Sequence, residues 1–364
     1  MIAQTGSADR EMTARASSPL QRHELRGLIE HLPRAKLDHT PTALQDCRHL
    51  SRLLGGPRIL IKRDDLTGLA FGGTKTRSIG FIMGEAVARG ADTIITFGFA
   101  KLVSNHCRLV TTAAAKLGMK SLLVLGGKQV PQGQCNELLC TLAGAEVRRV
   151  ATEDIPALEA VCNELALQLR DAGQAPFVVG IDKFYGSYGA LGSAECLLEM
   201  LDQLDQMECR ADYIYVCSQG GTQAGLVLTR KALHSCPKVV AISSMQPGLR
   251  SWPGRVELHA DIARWANDLA KVLGIDVEVM PSDVVNSADY VGEGYGLATP
   301  ECLEAIRLVA RTEGIILDPL YTAKGMAGLI DHVRRNKIAS NETVVFIHTG
   351  GTPTLFDHSD WLVS

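Results

Sequence analysis

The chain has no surplus of charge of either sign: 37 Lys+Arg stand against 40 Asp+Glu, a formal net charge of −3. With no basic excess to neutralise a phosphate backbone, a general nucleic-acid partner is not expected. Long apolar runs are also missing. A membrane span needs ~18 such residues, whereas the longest pieces, Ile94–Ala100 and Thr343–Ile347, have the length of buried strands. No membrane partner is expected either. The 10 cysteines include no CxxC pair, which argues against a zinc site or a disulfide framework. Scattered thiols such as Cys217 in Tyr-Ile-Tyr-Val-Cys behave as small apolar residues, so a reduced, cytoplasmic set is expected. Residues 1–22 lack a secretory apolar core and read as a flexible leader, with Asp9 and Glu11 counting against an import peptide. Neither a Gly-Lys-Ser/Thr loop ending nor a GxGxxG turn occurs at the glycine-rich candidate described below.

What is present is the pattern of an α/β protein. The 364 residues allow two domains, each with its own core. β-Branched runs predict strands at Arg58–Lys62, Thr93–Phe97, Ser121–Leu125, Phe177–Ile181, Tyr213–Cys217, Lys238–Ser243 and Thr343–Ile347. Between several of them, segments such as Ser104–Leu117 and Ala298–Glu313 space apolar residues three and four apart, as helices do. Strand–helix–strand order implies mostly parallel sheets flanked by helices, and such sheets collect ligands beyond the carboxyl ends of their strands. Asp182–Gly189 is turn-rich and reads as a linker.

Several motifs could carry chemistry there. Gly72-Gly-Thr-Lys75 places an amine after a sharp turn, where desolvation would suit it to a Schiff base. Ser218-Gln-Gly-Gly-Thr-Gln-Ala-Gly225 follows a strand and precedes helix-like Leu226–Leu233, an arrangement that can cradle a phosphate. Ser104-Asn-His-Cys-Arg108 opens a helix and could bind a substrate carboxylate. Phe346-Ile-His-Thr-Gly-Gly-Thr352 follows the last strand and could meet a ligand ring, while Tyr295 and Tyr321 stand in polar, glycine-rich surroundings. Taken singly, each has a plainer reading: a surface lysine, a strand–helix turn, an N-cap, or packing tyrosines.

Together and in this order, these motifs resemble the fold-type-II pyridoxal-phosphate enzymes of the D-cysteine desulfhydrase/1-aminocyclopropane-1-carboxylate deaminase family. The residues that carry the likeness are Lys62-Arg-Asp-Asp-Leu-Thr-Gly68 with Gly-Gly-Thr-Lys75, Ser-Asn-His-Cys-Arg108, Gly-Gly-Thr-Gln-Ala-Gly225, Asp318-Pro-Leu-Tyr-Thr322 and His348-Thr-Gly-Gly351. It runs from about Arg34 to Phe356. The resemblance implies a tryptophan-synthase-β-like fold of two open, twisted, mostly parallel sheets. A large cofactor domain would comprise 23–77 plus 189–364, and a small domain 78–188. It also implies pyridoxal 5′-phosphate, with Lys75 as the Schiff-base lysine and Ser104 facing substrate. Asn105 would meet the cofactor's phenolic oxygen, Gly220, Gly221 and Thr222 its phosphate, and Thr349 its pyridine nitrogen. Tyr295 and Tyr321 match the active-site tyrosines, and Ser104, Asn105 and His106 would bind substrate. No metal is implied. A homodimer acting on a small amino acid is expected.

Two positions separate the subfamilies. The deaminases resemble one another in carrying Tyr-Glu where this chain has Tyr321-Thr322, and His-Leu-Gly-Gly where it has His348-Thr349. A carboxylate would keep the pyridine nitrogen protonated; a threonine hydroxyl makes a shallower electron sink, sufficient to expel a good β-leaving group. The expected activity is therefore β-elimination from a substrate such as D-cysteine, giving pyruvate and ammonia, with Lys75 or a tyrosine removing the Cα proton. The alternatives are a cyclopropane deaminase, a lyase for a specialised amino acid, and a pseudoenzyme that binds cofactor without turnover. Departures from the family occur at Thr74 (usually Asn), Ser78 (usually Lys), Val103 (usually Gln) in a lengthened Phe99–Val103 approach, and Tyr185-Gly-Ser187 (usually Gly-Gly-Ser). They leave the Schiff base intact and bear on the substrate.

Overall fold

The computed structural model describes residues 19–128, 135–180, 186–234, 237–246 and 257–363. Ile181, Tyr185, Cys236 and most of the expected leader lie outside these residues. The chain is already anchored at Leu20, whose N–H donates to Ala232 O at 2.9 Å. A helix starts at Arg22, so residues 20–22 belong to the folded chain and not to the flexible leader expected over 1–22. The described end of the expected linker is likewise helical, because Ser187–Gln206 begins there.

Among the described residues, ten strands form two sheets. The larger contains β1 (Leu44–Asp46), β2 (Arg58–Lys62), β7 (Tyr213–Cys217), β8 (Lys238–Ile242), β9 (Asn286–Ser287) and β10 (Thr343–Ile347). Its order is β1-β2-β10-β7-β8-β9, antiparallel only between β1 and β2. The smaller sheet, β5-β4-β3-β6, is wholly parallel. It comprises β3 (Thr93–Phe99), β4 (Lys120–Gly126), β5 (Glu146–Val150) and β6 (Pro176–Val179). The expectation of two mostly parallel sheets flanked by helices holds.

Alternation along the strands explains why helices cover both faces. In the large sheet Leu60, Ile214, Val216, Val345 and Ile347 pack against helices Ser187–Gln206, Gly221–Leu233 and Leu258–Leu273. Their neighbours Ile59, Ile61, Tyr215, Val344 and Phe346 pack on the opposite side against helices Pro300–Glu313 and Thr322–Arg334. A strand apolar on both faces can be stable only when both are buried. The small sheet repeats the scheme, with Ile94 and Phe177 facing helices Lys75–Ala88 and Asn105–Lys116, and Ile95 and Val124 facing helix Ile155–Asp171. The carboxyl ends of β3, β6, β7 and β10 then converge where the site lies.

Candidate active site

One cavity of about 720 Å³ gathers every residue expected to act: Lys75, Ser104, Asn105, His106, Gly220, Gly221, Thr222, Tyr295, Tyr321 and Thr349 all line it. Each arrives from the end of a strand or the start of a helix, or from a turn beside one. Lys75 is the first residue of helix Lys75–Ala88, reached through a turn only glycine can make. Gly72 has φ +62°, and a Cβ there would lie 2.2 Å from Asp65 O. Gly73 abuts Thr349 O, to which the Thr74 N–H also donates at 3.1 Å. The lysine turn and the turn after β10 are therefore one interlocked unit.

Burial holds the Lys75 pKa below the ordinary lysine value, with the Arg108 cation acting in the same direction and Cys217 and Asp318 opposing. A larger neutral fraction makes the amine a better nucleophile. Its Nζ lies 5.9 Å from the centre of the Tyr321 ring. The Tyr321 hydroxyl is hydrogen-bonded to that of Tyr295, and the two rings meet edge to face with centroids 6.0 Å apart. Burial raises the Tyr295 pKa against the lowering effect of that bond, so the phenol holds its proton more firmly than an exposed tyrosine.

Ser104 serves two ends at once. It is the N-cap of helix Asn105–Lys116, accepting from the Cys107 N–H at 3.3 Å, and it also lines the cavity. Capping and substrate-facing roles are thus compatible. Asn105 Oδ1 accepts from Arg108 Nη2 at 3.2 Å and from Asn136 Nδ2 at 3.1 Å. With its oxygen so occupied, its amide nitrogen is the end left for a ligand. His106 Nε2 bonds Thr96 Oγ1 at 3.0 Å, and burial, helped by Lys75, pushes its pKa down to about 3. It is a neutral wall of the cavity.

Gly221 starts helix Gly221–Leu233, so the glycine loop is the helix's own first turn. The helix begins well before the apolar pattern suggested, because Gly-Gly-Thr-Gln reads as loop by composition. Ser218 Oγ accepts from the N–H groups of Gly220 and Gln223 at 3.3 and 3.2 Å. The remaining first-turn N–H groups have no intrahelical acceptor and present a positive dipole end, suited to an anion.

The contrast between the two threonines is sharper than sequence could show. Thr349 lines the cavity. Thr322 does not: it is fully buried, and its hydroxyl donates to Asp318 Oδ1 at 2.6 Å. Asp318 also accepts from the N–H groups of Leu320, Tyr321 and Thr322, and so caps the helix that follows. Ser78 lines the cavity but its hydroxyl donates to Gly189 O at 3.0 Å. Lys101 lines the same cavity from the lengthened Phe99–Val103 segment.

Residues 35–350 match the family described as "Pyridoxal-phosphate dependent enzyme". The chain belongs to that family. Among curated relatives, the 1-aminocyclopropane-1-carboxylate deaminase of Burkholderia ambifaria is 34% identical, over 91% of this chain and 98% of its own. A putative 1-aminocyclopropane-1-carboxylate deaminase of Pyrococcus horikoshii is 35% identical over 93% and 97%. A crystal structure of an ACC deaminase homologue superposes with a TM-score of 0.80 at 34% identity, covering 93% of this chain and 98% of that one. A threonine deaminase, at 22% identity and a TM-score of 0.62 over 90% of this chain and 97% of its own, shares the fold.

For a pyridoxal-phosphate dependent enzyme the cavity offers a fitting set of donors. Thr74 Oγ1 is buried with no hydrogen-bond partner among the described residues and its residue lines the cavity, a position that calls for a ligand's polar atom. Lys75 would hold the cofactor's carbonyl carbon, Gly221 and Thr222 its phosphate, Asn105 its phenolic oxygen and Thr349 its ring nitrogen. When bound, the cofactor supplies the electron sink; the protein supplies position and proton control.

Sequence reasoning gave Arg108 and Asp318 no role of their own beyond membership of a motif, and gave Asn136 and Lys324 none. Arg108 is fully buried. Its guanidinium donates to Ala70 O and Gly72 O, two carbonyls of the turn before Lys75, and to Asn105. Its place one helical turn beyond Asn105 was the available signal. Asn136 had none, being distant in sequence from the groups it orients.

Proposed function

We propose that the protein is a pyridoxal-phosphate-dependent lyase that performs β-elimination on a small β-substituted amino acid such as D-cysteine. Water adds overall, and the products are pyruvate, ammonia and the departing thiol or similar group. The observation that carries this reading is the hydroxyl of Thr349 at the turn after β10. Among the described residues the only carboxylate lining the cavity is Glu153, on the segment after β5 beside Gly127. A neutral partner for the ring nitrogen favours release of a leaving group that departs readily over opening of a cyclopropane.

The chain's own groups supply the rest. Ser104 and the N–H groups that open helix Asn105–Lys116 receive the substrate carboxylate, where the dipole end favours an anion. The Lys75 amine takes the Cα proton, and the Tyr295–Tyr321 pair holds a proton at hydroxyl oxygens beside the substrate. A second reading, 1-aminocyclopropane-1-carboxylate deaminase, is favoured by the names of the relatives at 34% and 35% identity. Steady-state assays separate the two: we expect pyruvate from D-cysteine or β-chloroalanine and little 2-oxobutyrate from 1-aminocyclopropane-1-carboxylate. Efficient cyclopropane deamination would overturn our choice in favour of the second reading. Lys75→Ala should abolish turnover of either substrate while leaving the circular dichroism spectrum unchanged. Borohydride reduction and peptide mapping should place the cofactor on Lys75.

A further inference from the structure

The segment that carries Tyr295 has little structure of its own. Between β9 and helix Pro300–Glu313 it is a chain of turns, with backbone bonds such as Val291 N–H to Ala288 O at 3.2 Å and Leu297 N–H to Gly294 O at 3.5 Å. Something outside the segment must fix the tyrosine. Lys324, one helical turn after Tyr321, is fully buried. Its ammonium donates to Val291 O at 2.7 Å, Gly294 O at 3.1 Å and Ser244 O at 3.4 Å. Among the described residues no carboxylate forms an ion pair with it. An ammonium removed from water is tolerated only when its three N–H groups are all received, and here three carbonyls from two loops receive them.

Two of those carbonyls, Val291 and Gly294, flank the turn immediately before Tyr295. The third belongs to Ser244, whose N–H and hydroxyl donate to Gln219 Oε1 at 3.2 and 3.0 Å, beside the glycine loop. The Tyr295 segment is also fastened to the same helix at its other end, through Tyr290 Oη and Asp331 at 2.6 Å. We propose that Lys324 is a positioning residue: it holds the Tyr295 segment on helix Thr322–Arg334 so that the Tyr295 and Tyr321 hydroxyls meet. The inference rests on the proton-holding role given above to that pair.

The test is a double-mutant cycle on the holoenzyme with Lys324→Gln, which keeps two donors, and Tyr295→Phe. Lys324→Gln should lower kcat by about 10- to 100-fold, the effect of a small misplacement, with a smaller change in KM. In the Tyr295→Phe background the same substitution should do little further harm, because the group it positions has gone. Hydrogen exchange should speed up across 288–297 in Lys324→Gln while the β7–β10 core stays protected. Full multiplicative losses in the double variant, or unchanged exchange in 288–297, would overturn the assignment of Lys324 alone. A silent Tyr295→Phe would overturn the role of the tyrosine pair and the inference with it. If Lys324→Gln fails to fold, Tyr290→Phe, which loosens the other fastening, should reproduce the loop's faster exchange and a milder loss of kcat; unchanged values would overturn the scheme.

Discussion

Lys75 and Arg108 line one cavity, and the effect of the Arg108 charge on the amine is measurable. Burial sets the Lys75 pKa below the ordinary value and Arg108 pushes it further down. Removing that cation must raise it. We expect the pH midpoint for capture of pyridoxal phosphate, followed by absorbance, to move up in Arg108→Met. Arg108→Lys should leave it nearly unchanged, since the charge persists, but capture should be slower because the fork to Ala70 O and Gly72 O is lost. Ala70 and Phe71 have φ of 42° and 68°, a strained passage that needs such a clamp. His106 gives a contrasting expectation. With its pKa held at about 3 by burial, its ring signals should show no titration between about pH 5 and 8 by NMR; a titration there would mean that water reaches the ring.

At the scale of elements, two glycine substitutions should have opposite signs. In helix Gly221–Leu233 a Cβ on Gly225 would lie 2.0 Å from Ala190 O of the neighbouring helix. Gly225→Ala must push the helices apart, costing about 1–3 kcal/mol and shifting the glycine turn at the helix start. A lower urea midpoint and faster loss of cofactor in dialysis are expected together. Gly27, inside helix Arg22–Glu30, has no atom within 4 Å of an added Cβ, so Gly27→Ala should add about 0.5–1 kcal/mol of stability, read as a higher urea midpoint. Elements of this kind differ in how far sequence reveals them. β2, β7 and β10 were legible residue for residue, because β-branched runs buried on both faces leave little choice. β5 was not: Glu146-Val-Arg-Arg-Val150 is a partly exposed edge strand whose charges hide it. The site's motif residues were legible as short patterns, and Arg108 stood in one of them, but its acceptors Ala70 O and Gly72 O and the groups that Asn136 and Lys324 hold are far away in sequence, which no local pattern records.

For the whole molecule, the position of β10 matters beyond the site it serves. It lies between β2 and β7, pairing with both in parallel, yet it is the last strand of the sheet to be made. While the protein is being synthesised, residues 58–62 and 213–217 must therefore wait with open edges until 343–347 emerge. The small sheet is spared this delay, since β3 to β6 are contiguous in sequence between 93 and 179. Non-local parallel pairing is slow, and unpaired strand edges invite association with other chains. In pulse-labelled hydrogen exchange, β3 and β4 should gain protection before β2 and β7. A chain cut just before β10 should keep protection in the small sheet yet bind 8-anilinonaphthalene-1-sulfonate and sediment as aggregates. The lysine turn, locked to the turn after β10 through Gly73 and Thr349, would then become competent for cofactor only at the final step of folding. A ribosome-held nascent chain should accordingly take up no pyridoxal phosphate on Lys75 until β10 is released from the exit tunnel.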